Sequence, residues 1–542
     1  MQRIGKTRAA ICLWVFLGIF LGTIWLGAVP ARAQGQQAWF GIDTLEARAK
    51  WSRGFHEAYQ NPDIPPLSLR LSEAEDPYTD ITGDQVHGYL QDIMDITQQT
   101  RPEGERYWGR IAGSESERTI ADYMATLFSR FGLEDVRTET VQGGKQWWPL
   151  DWQVTLIGDP AYGAGTEDVA LTSAFPALQL STGAISVVDL EAELVYVGLG
   201  HPVDLVGRDV TGKIAVIHGA LETDPFFQTA RGNVNNIIEA GAVGVLMALA
   251  VPGNYQYALE DMGPPDAPSF ILGGDDGRFV KDAIAAAGAS NPITARLNLQ
   301  TEVRDDWQGK NVIGMIRGRI DEYIVLVAHL DGYFEAANDN GGGLASLLAL
   351  AKHYSTSGAT KPNRNMLFVG TSGHHEFSDG VAAFIKEHTD ILAKTVFVFN
   401  IEHPSSIMSF YRGELKFHNR TNPGQLAINT AQGTRSLTVS NRNPSLISFY
   451  RDAIDRYGLV IGSMVGNRPT GDAFGFYEAG YPVAQILDAN LWYHSTGDRI
   501  DTIHPNGLER ATRLYADVLD KIDSTSWAEL RKSGAGPGRP GG

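Results

Sequence analysis

Histidine and acidic residues cluster in four short segments of the chain, and the first of them is AHLDGYFEAANDNGGG. Within it, His329 and Asp339 offer an imidazole nitrogen and a carboxylate, the mixture of ligands that suits zinc. Asp331 stands two residues after His329 and could orient its ring. The other three segments contain His374, His375 and Glu376 in TSGHHEFSDG, Glu402 and His403 in IEHP, and His494 in YHSTGDRIDTI. Together these residue types predict a metal centre.

The segments follow apolar runs that read as buried strands. Tyr323–Val327, Met366–Gly370 and Thr395–Asn400 are nearly all apolar, as expected for parallel strands covered on both faces. Between them, Gly343–Tyr354 and Val381–Glu387 have helical patterns, which gives the strand–helix–strand rhythm of a doubly wound sheet. Ligands of such sheets bind at the carboxyl ends of the strands. We therefore expect the candidate ligands to meet at one edge of the sheet.

The first half of the chain has a different texture. Residues 84–133 show two helical runs separated by a turn at Arg110–Ser114. From about Leu190 to Leu299, short apolar strands alternate with glycine turns, and one helix, about Asn233–Ala240, leads into a strand at Val243–Met247. This stretch has no cluster of His, Asp and Glu along the sequence. We expect it to serve packing, substrate gating or partner contact.

The order of the motifs resembles the co-catalytic zinc aminopeptidases of the glutamate carboxypeptidase and transferrin receptor type. The shared order is His-x-Asp, Asp-Asn before glycines, a Gly-x-x loop, Asn-x-acid and a late Tyr-His-Ser, supported by RIAGSESERTIADYMATLFSRFGL and TGDAFGFYEAGYPVAQI. VYVGLGHPVDLVGRDVTGKIAVI, NIIEAGAVGVLM and PSFILGGDDG resemble the protease-associated domain. The resemblance covers nearly the whole mature chain. It implies an α/β fold with a doubly wound, mostly parallel sheet of zinc-exopeptidase type and an inserted small α/β protease-associated domain.

The resemblance also divides the chain into domains. Residues 1–33 would be a signal peptide, 34–165 the N-terminal part of a peptidase-like domain, and 166–304 the insertion. Residues 305–526 would be the main part of the peptidase-like domain, and 527–542 a disordered tail.

The resemblance assigns roles to the candidate ligands, with one or two zinc ions per chain. His329 would bind one zinc with Asp331 holding its ring, Asp339 would bridge both metals, and Glu402 would complete the site of His329. His494 would bind the other zinc. The implied reaction is hydrolysis of a peptide or aminoacyl amide by a metal-activated water.

The third segment departs from the family, which reads Gly-Glu-Glu there, the first Glu being the general base and the second a ligand. Counting to Gly380 places His374 on the base and His375 on the ligand, whereas a shift by one residue would give Glu376 one of these roles. Imidazole is a good zinc donor and titrates near neutrality. Two adjacent cations would nevertheless lower the pKa of His374. Loss of a general base costs roughly 10²–10⁴-fold in rate. A binding protein without activity and a single-zinc cyclase therefore remain as alternatives.

The first residues predict export to the periplasm or the medium. Three basic residues precede an apolar run from Ala9 to about Val29, and Ala31–Ala33 offers a cleavage site; an uncleaved anchor is the alternative. The single cysteine, Cys12, lies in this segment, so the mature chain would have no disulfide. No later stretch is apolar enough to span a membrane. The net charge of -18 argues against nucleic acid and anionic membranes as partners.

Overall fold

The structure of the chain is a computed structural model. The described residues are 76–158, 167–179, 183–219, 228–251, 253–260, 267–288, 291–356, 361–404, 408–412, 425–429, 435–459, 461–464, 468–488 and 492–534. The predicted signal peptide, Cys12 and the second half of the predicted tail lie outside these ranges, and so do several internal segments. In the first half of the predicted tail, Trp527–Leu530 form a helix in which Leu530 is buried.

The secondary structure alternates strands and helices throughout. The strands, numbered in chain order, are β1 (Gly109–Arg110), β2 (Glu134–Gln142), β3 (Gln146–Leu156), β4 (Val169–Ala170), β5 (Phe175–Pro176), β6 (Ser186–Tyr196), β7 (Ile214–Gly219), β8 (Gly244–Leu249), β9 (Ser269–Leu272), β10 (Thr294–Arg304), β11 (Gln308–Ile316), β12 (Ile320–His329), β13 (Gly332–Tyr333), β14 (Arg364–Thr371), β15 (Thr395–Ile401), β16 (Met408–Arg412), β17 (Gln425–Asn429), β18 (Arg435–Val439), β19 (Ile461–Met464) and β20 (Val483–Asp488). The helices are α1 (Gly83–Gln99), α2 (Glu115–Phe131), α3 (Gln228–Glu239), α4 (Gly274–Ala287), α5 (Gly342–Thr356), α6 (Asp379–Glu387), α7 (Thr389–Leu392), α8 (Pro444–Tyr457), α9 (Asp472–Glu478), α10 (Pro505–Ser524) and α11 (Trp527–Leu530).

The main sheet has eight strands in the order β19-β18-β20-β15-β12-β14-β11-β2. The four central strands β20, β15, β12 and β14 run parallel, while β11 and β2 add antiparallel strands at one side. Alternate residues of β12 face opposite layers, as the pleat of a strand requires. Ile324 and Leu326 pack with α1, α2, α5, α8 and α10, whereas Val325 and Val327 pack with α6 and α9. The predicted α/β fold with a doubly wound, mostly parallel central sheet is thus confirmed.

The two helices predicted between residues 84 and 133 are present as α1 and α2. The side chain of Ser114 accepts a hydrogen bond from the backbone N–H of Glu117 (3.2 Å) and so caps the start of α2. The helix ends at Gly132, whose φ of 84° is the left-handed conformation that glycine adopts without steric cost. The intervening turn contains β1, which pairs with β13 inside the first candidate segment.

A second sheet of eight strands has the order β4-β3-β10-β6-β7-β8-β9-β5. Its two faces are covered separately, because Phe279 and Val280 of α4 pack on one side while Val234 and Ile237 of α3 pack on the other. Strand β3, which precedes residue 166, pairs with β10 and belongs to this sheet. The identification of residues 166–304 as a protease-associated domain stays a prediction. No helix among the described residues has both the length and the apolar character needed to cross a membrane.

Candidate metal centre

Three candidate segments begin where a parallel central strand ends, and the fourth follows the end of β20 by a few residues. Strand β12 ends at His329, β14 at Thr371, β15 at Ile401 and β20 at Asp488. Since these strands are parallel neighbours, their carboxyl ends lie at one edge of the sheet. The predicted convergence of the segments follows directly from this arrangement.

Asp339 lies at the centre of the convergence and is 2% exposed. Its Oδ1 atom is 3.1 Å from His329 Nε2 and 2.8 Å from His403 Nε2. Its Oδ2 atom is 2.9 Å from His494 Nε2 and 4.0 Å from His375 Nε2. We call the two sides of this carboxylate the Oδ1 half-site and the Oδ2 half-site.

The four imidazoles fit a metal ion because each presents an Nε2 atom with no hydrogen-bond partner among the described residues. In three of them the other ring nitrogen faces an oxygen: backbone O of Asp331 for His329 (3.0 Å), backbone O of Asp488 for His403 (3.2 Å), and Glu260 Oε1 for His375 (2.9 Å). A proton on Nδ1 satisfies each of these contacts and leaves Nε2 as a lone-pair donor. Buried lone pairs that face a carboxylate are costly unless a proton or a metal cation lies between them, and zinc is a cation that these ligands prefer.

The charges of the side chains in the centre favour a bound cation. Burial lowers the pKa of His329, but the adjacent carboxylates of Asp331 and Asp339 outweigh this and raise the pKa to about 10. Burial also opposes protonation of His403, yet the charge of Asp339 raises its pKa to about 9. Burial would raise the pKa of Asp339, but His403 and the other imidazoles hold it well below its usual value. A bound cation would supply the charge that these protons supply in its absence.

Asp331 fixes the third segment against the first. Its carboxylate accepts hydrogen bonds from the backbone N–H groups of His374 (3.0 Å) and His375 (2.9 Å). The predicted role of Asp331 as the holder of His329 involves its backbone oxygen at 3.0 Å, while its carboxylate Oδ1 is 3.7 Å from the ring. Asp331 is therefore a positioning residue for two candidate segments at once.

His374 lies beside the Oδ1 half-site. Its ring stacks on that of His329, with centroids 3.9 Å apart. Its Nδ1 atom is 3.0 Å from Asp472 Oδ1, and its Nε2 atom is 3.7 Å from Glu402 Oε1. Glu402 is held in turn by Asn400, whose Nδ2 donates to Oε2 over 2.6 Å. Burial lowers the pKa of His374, but the negative charges of Asp472 and Glu402 raise it to about 9.

Glu376 is not part of this ring of ligands. One carboxyl oxygen accepts a hydrogen bond from Gln146 Nε2 (2.9 Å), and the other has no hydrogen-bond partner in the described part of the chain. Burial and the negative charges of Asp331, Glu117 and Glu260 raise its pKa well above the usual value. Among the described residues, the groups of His and acidic side chains close enough to share one ion do not include Glu376.

Glu260 belongs to the site although the sequence did not predict it. It lies in the stretch from about Leu190 to Leu299, which has no cluster of His, Asp and Glu along the sequence. Besides its contact with His375, its Oε1 accepts a hydrogen bond from the hydroxyl of Tyr333 (2.8 Å). Burial would raise the pKa of Glu260, but His375, His494 and Tyr333 lower it to about 2, so the carboxylate is charged. Glu260, His375 and His494 are close enough together to share one ion. Spacing along the chain carried no signal for this residue.

Arg110 and Asp498 hold the backbone of the first segment. The guanidinium of Arg110 is fully buried and donates to the backbone oxygens of Leu330 (2.8 Å) and Ala336 (2.9 Å). The carboxylate of Asp498 accepts from the backbone N–H groups of Asn338 (2.8 Å) and Asp339 (3.1 Å). Asp498 lies in the same segment as His494, and Arg110 lies in the turn between α1 and α2; spacing along the chain indicated neither role.

Comparisons with known proteins agree with this architecture. Residues 311–519 match the family model described as Peptidase family M28. No curated protein sequence gives a significant match to the chain.

Solved structures align with most of the chain. The Peptidase M28 precursor from Shewanella amazonensis SB2B aligns with a TM-score of 0.62 and 17% identity, covering 91% of this chain and 100% of that one. BSAP, a zinc aminopeptidase from Bacillus subtilis, gives 0.57 and 17%, covering 83% and 98%. An aminopeptidase from Aneurinibacillus sp. strain AM-1 gives 0.51 and 19%, covering 81% and 95%. At these identities the structural likeness shows the fold, while the family match adds the lineage. Residues 311–519 are therefore similar to Peptidase family M28.

Proposed function

We propose that this chain is an exported zinc-dependent, aminopeptidase-like hydrolase that cleaves peptide or aminoacyl-amide bonds. The observation that carries the proposal is the environment of Asp339, where each carboxylate oxygen faces two imidazole Nε2 atoms. A carboxylate with imidazoles on both sides could hold two metal ions close together, and a metal pair of this kind would supply the chemistry of two-metal hydrolases. The family match and the zinc aminopeptidase among the structural relatives support the reaction class.

The ligand set of the proposal consists of His329, Asp339, His375, Glu402 and His494, as the sequence predicts. When bound, zinc supplies a Lewis acid that polarises the scissile carbonyl and lowers the pKa of a water molecule. The protein's own part is to fix these ligands. It does so through Asp331, Asn400 and Glu260, each of which contacts a ligand or the backbone beside one.

His374 is the residue that we propose as the proton acceptor in place of the family glutamate. Asp472 contacts its Nδ1 atom, which directs Nε2 toward the side of the centre where Glu402 lies. A carboxylate that orients an imidazole in this way is a common arrangement for general bases. Glu376, the alternative from a shifted alignment, is a weaker proposal because it contacts Gln146 and lies outside the groups of side chains close enough to share an ion.

The test uses the predicted mature chain, residues 34–542, loaded with zinc and offered a panel of aminoacyl amides. We expect turnover that a chelator abolishes and that falls to background in His494→Ala. His374→Gln should lower kcat by about 10²–10⁴-fold, which is the usual contribution of a general base. His388→Gln is a suitable control, because that imidazole pairs with Glu139 and takes no part in the centre. A zinc-loaded wild type with no turnover would contradict the proposal.

The second candidate is a metal-holding binding protein, and one observation favours it. The third segment has His374 and His375 where the family has two glutamates. A cleft of this family without its base could still bind peptides. Peptide binding to the zinc-loaded protein without any cleavage over many hours would favour this function.

A further inference from the structure

Among the imidazoles that face Asp339, that of His403 has the shortest contact with its carboxylate. Its Nε2 atom is 2.8 Å from Asp339 Oδ1, compared with 2.9, 3.1 and 4.0 Å for the other three. The side chain is 2% exposed, and neither of the two atoms in this contact has a hydrogen-bond partner in the described chain. Neither the resemblance nor the family match gives this residue a role.

The backbone around His403 holds the ring in this orientation. Its N–H donates to Asn340 Oδ1 (3.2 Å), next to Asp339, and its Nδ1 atom lies 3.2 Å from the backbone oxygen of Asp488. Its φ of 44° lies in the left-handed region, which is uncommon for residues other than glycine. Such strain persists where the surroundings fix the residue, and it is common at ligand sites. The contacts of the backbone N–H and of Nδ1 therefore hold the ring of His403 with Nε2 opposite Asp339.

We infer that His403 is a metal ligand of the Oδ1 half-site. This inference rests on the proposal that Asp339 bridges two zinc ions. With His403 added, the Oδ1 half-site can offer four protein ligands: His329, His403, Asp339 and Glu402, whose Oε1 is 3.9 Å from His403 Nε2. The Oδ2 half-site offers three, which are Asp339, His375 and His494, because Glu260 is hydrogen-bonded to Nδ1 of His375, on the side of the ring away from Asp339.

The two half-sites then differ in the way that structural and catalytic zinc sites differ. Four protein ligands close a tetrahedral zinc site, whereas three leave a position open for water or substrate. The zinc at Oδ1 should therefore bind first and tightly, without exchanging readily. The zinc at Oδ2 should bind second and more weakly.

The first experiment is a calorimetric titration of the metal-free mature chain with Zn²⁺ alone. We expect two steps in the wild type. His403→Gln keeps the size of the side chain but removes the imidazole, and it should weaken the tighter step by at least about 100-fold, since loss of an outer partner of a ligand already costs about 10–100-fold. His353→Gln is the matched control, because His353 is a similarly buried histidine that pairs with Asp80 away from the centre. An unchanged tight step in His403→Gln would overturn the inference.

A second variant gives a positive signal and does not depend on a loss of binding. The only cysteine of the chain is Cys12, within the predicted signal peptide, so His403→Cys would carry the single thiol of residues 34–542. A thiolate that binds Co²⁺ produces a charge-transfer band in the near ultraviolet. We expect this band in His403→Cys after one equivalent of Co²⁺ and its absence in His353→Cys. A folded His403→Cys protein that takes up Co²⁺ without the band would overturn the inference.

These measurements separate the inference from the proposed function because neither requires turnover. A wild type with two zinc steps, a weakened step in His403→Gln and no cleavage of any substrate would uphold the inference and contradict the hydrolase. Cleavage by the wild type together with unchanged zinc binding in His403→Gln would uphold the hydrolase and contradict the inference.

Discussion

Glu260 connects the second sheet to the metal ligands, and its replacement by glutamine tests that connection. The carboxylate is 2.9 Å from His375 Nδ1 and accepts a hydrogen bond from the Tyr333 hydroxyl over 2.8 Å. Glutamine has the same size but no negative charge. His375 would then lose the charged partner that keeps its proton on Nδ1 and directs Nε2 toward Asp339.

The expected effect is confined to one half-site. A carboxylate that orients a metal-binding imidazole contributes about 10–100-fold to metal affinity, which is about 1.4–2.7 kcal/mol. His375 Nε2 is 4.0 Å from Asp339 Oδ2, the longest of the four imidazole contacts. This ligand therefore depends most on its outer partner. Zinc binding at Oδ2 should weaken in Glu260→Gln, whereas binding at Oδ1, where Glu260 has no contact, should not change.

The assay is a zinc titration of metal-free Glu260→Gln beside the wild type, read by calorimetry. The weaker step should fall and the stronger step should stay. Tyr333→Phe is the control, because it removes one hydrogen bond to the same carboxylate and leaves its charge. Folding of each variant is checked by thermal unfolding of the metal-free form. Two zinc steps of wild-type affinity in a folded Glu260→Gln protein would refute the reasoning and leave Glu260 as a packing residue.

Three further predictions concern the surroundings of the centre. Gly471→Ala should lower stability and zinc binding, because a Cβ there would lie 2.6 Å from His374 Cε1 at a φ of 57°. Gly480→Ala, with a φ of 87° and nothing within 4 Å, should show only the backbone cost, about 1–3 kcal/mol, in denaturant titrations of both variants. Asp472→Asn should lower the pKa of His374 from about 9 in the metal-free protein, because the charge of Asp472 raises this pKa while burial lowers it. NMR titration measures the change, and an unaltered pKa of His374 would contradict the prediction. The metal-free chain should lose stability as pH rises, because the pKa of His403 is raised to about 9 in the folded state. The stability that protonated His403 contributes is complete below the unfolded pKa of about 6.5 and is lost as pH rises through 9. A melting temperature that rises from pH 6.5 to pH 9 would contradict this prediction.

The sequence by itself determined the local structure and the family. Continuous apolar runs can only be buried strands when they are short and separated by helical patterns, and parallel strands bring their carboxyl ends together. That reasoning placed His329, Glu402 and the third segment at one edge of the main sheet, and the strands β12, β14 and β15 confirm it. The order of the motifs similarly led to the peptidase family that the family model identifies. The roles assigned to the individual residues stay predictions.

Only the tertiary structure decided which side chains face one another. Glu260 reaches His375 because the second sheet packs against the loops of the first, and no periodicity or spacing encodes a contact between segments so far apart in the chain. The pairing of His374 with Asp472, the isolation of Glu376 beside Gln146, and the approach of His403 to Asp339 likewise depend on loop backbone conformations. Hydropathy fixes where a strand or helix lies, because burial acts on whole faces. The direction of a single polar side chain in a loop is set by a few hydrogen bonds, and these exist only once the chain has folded.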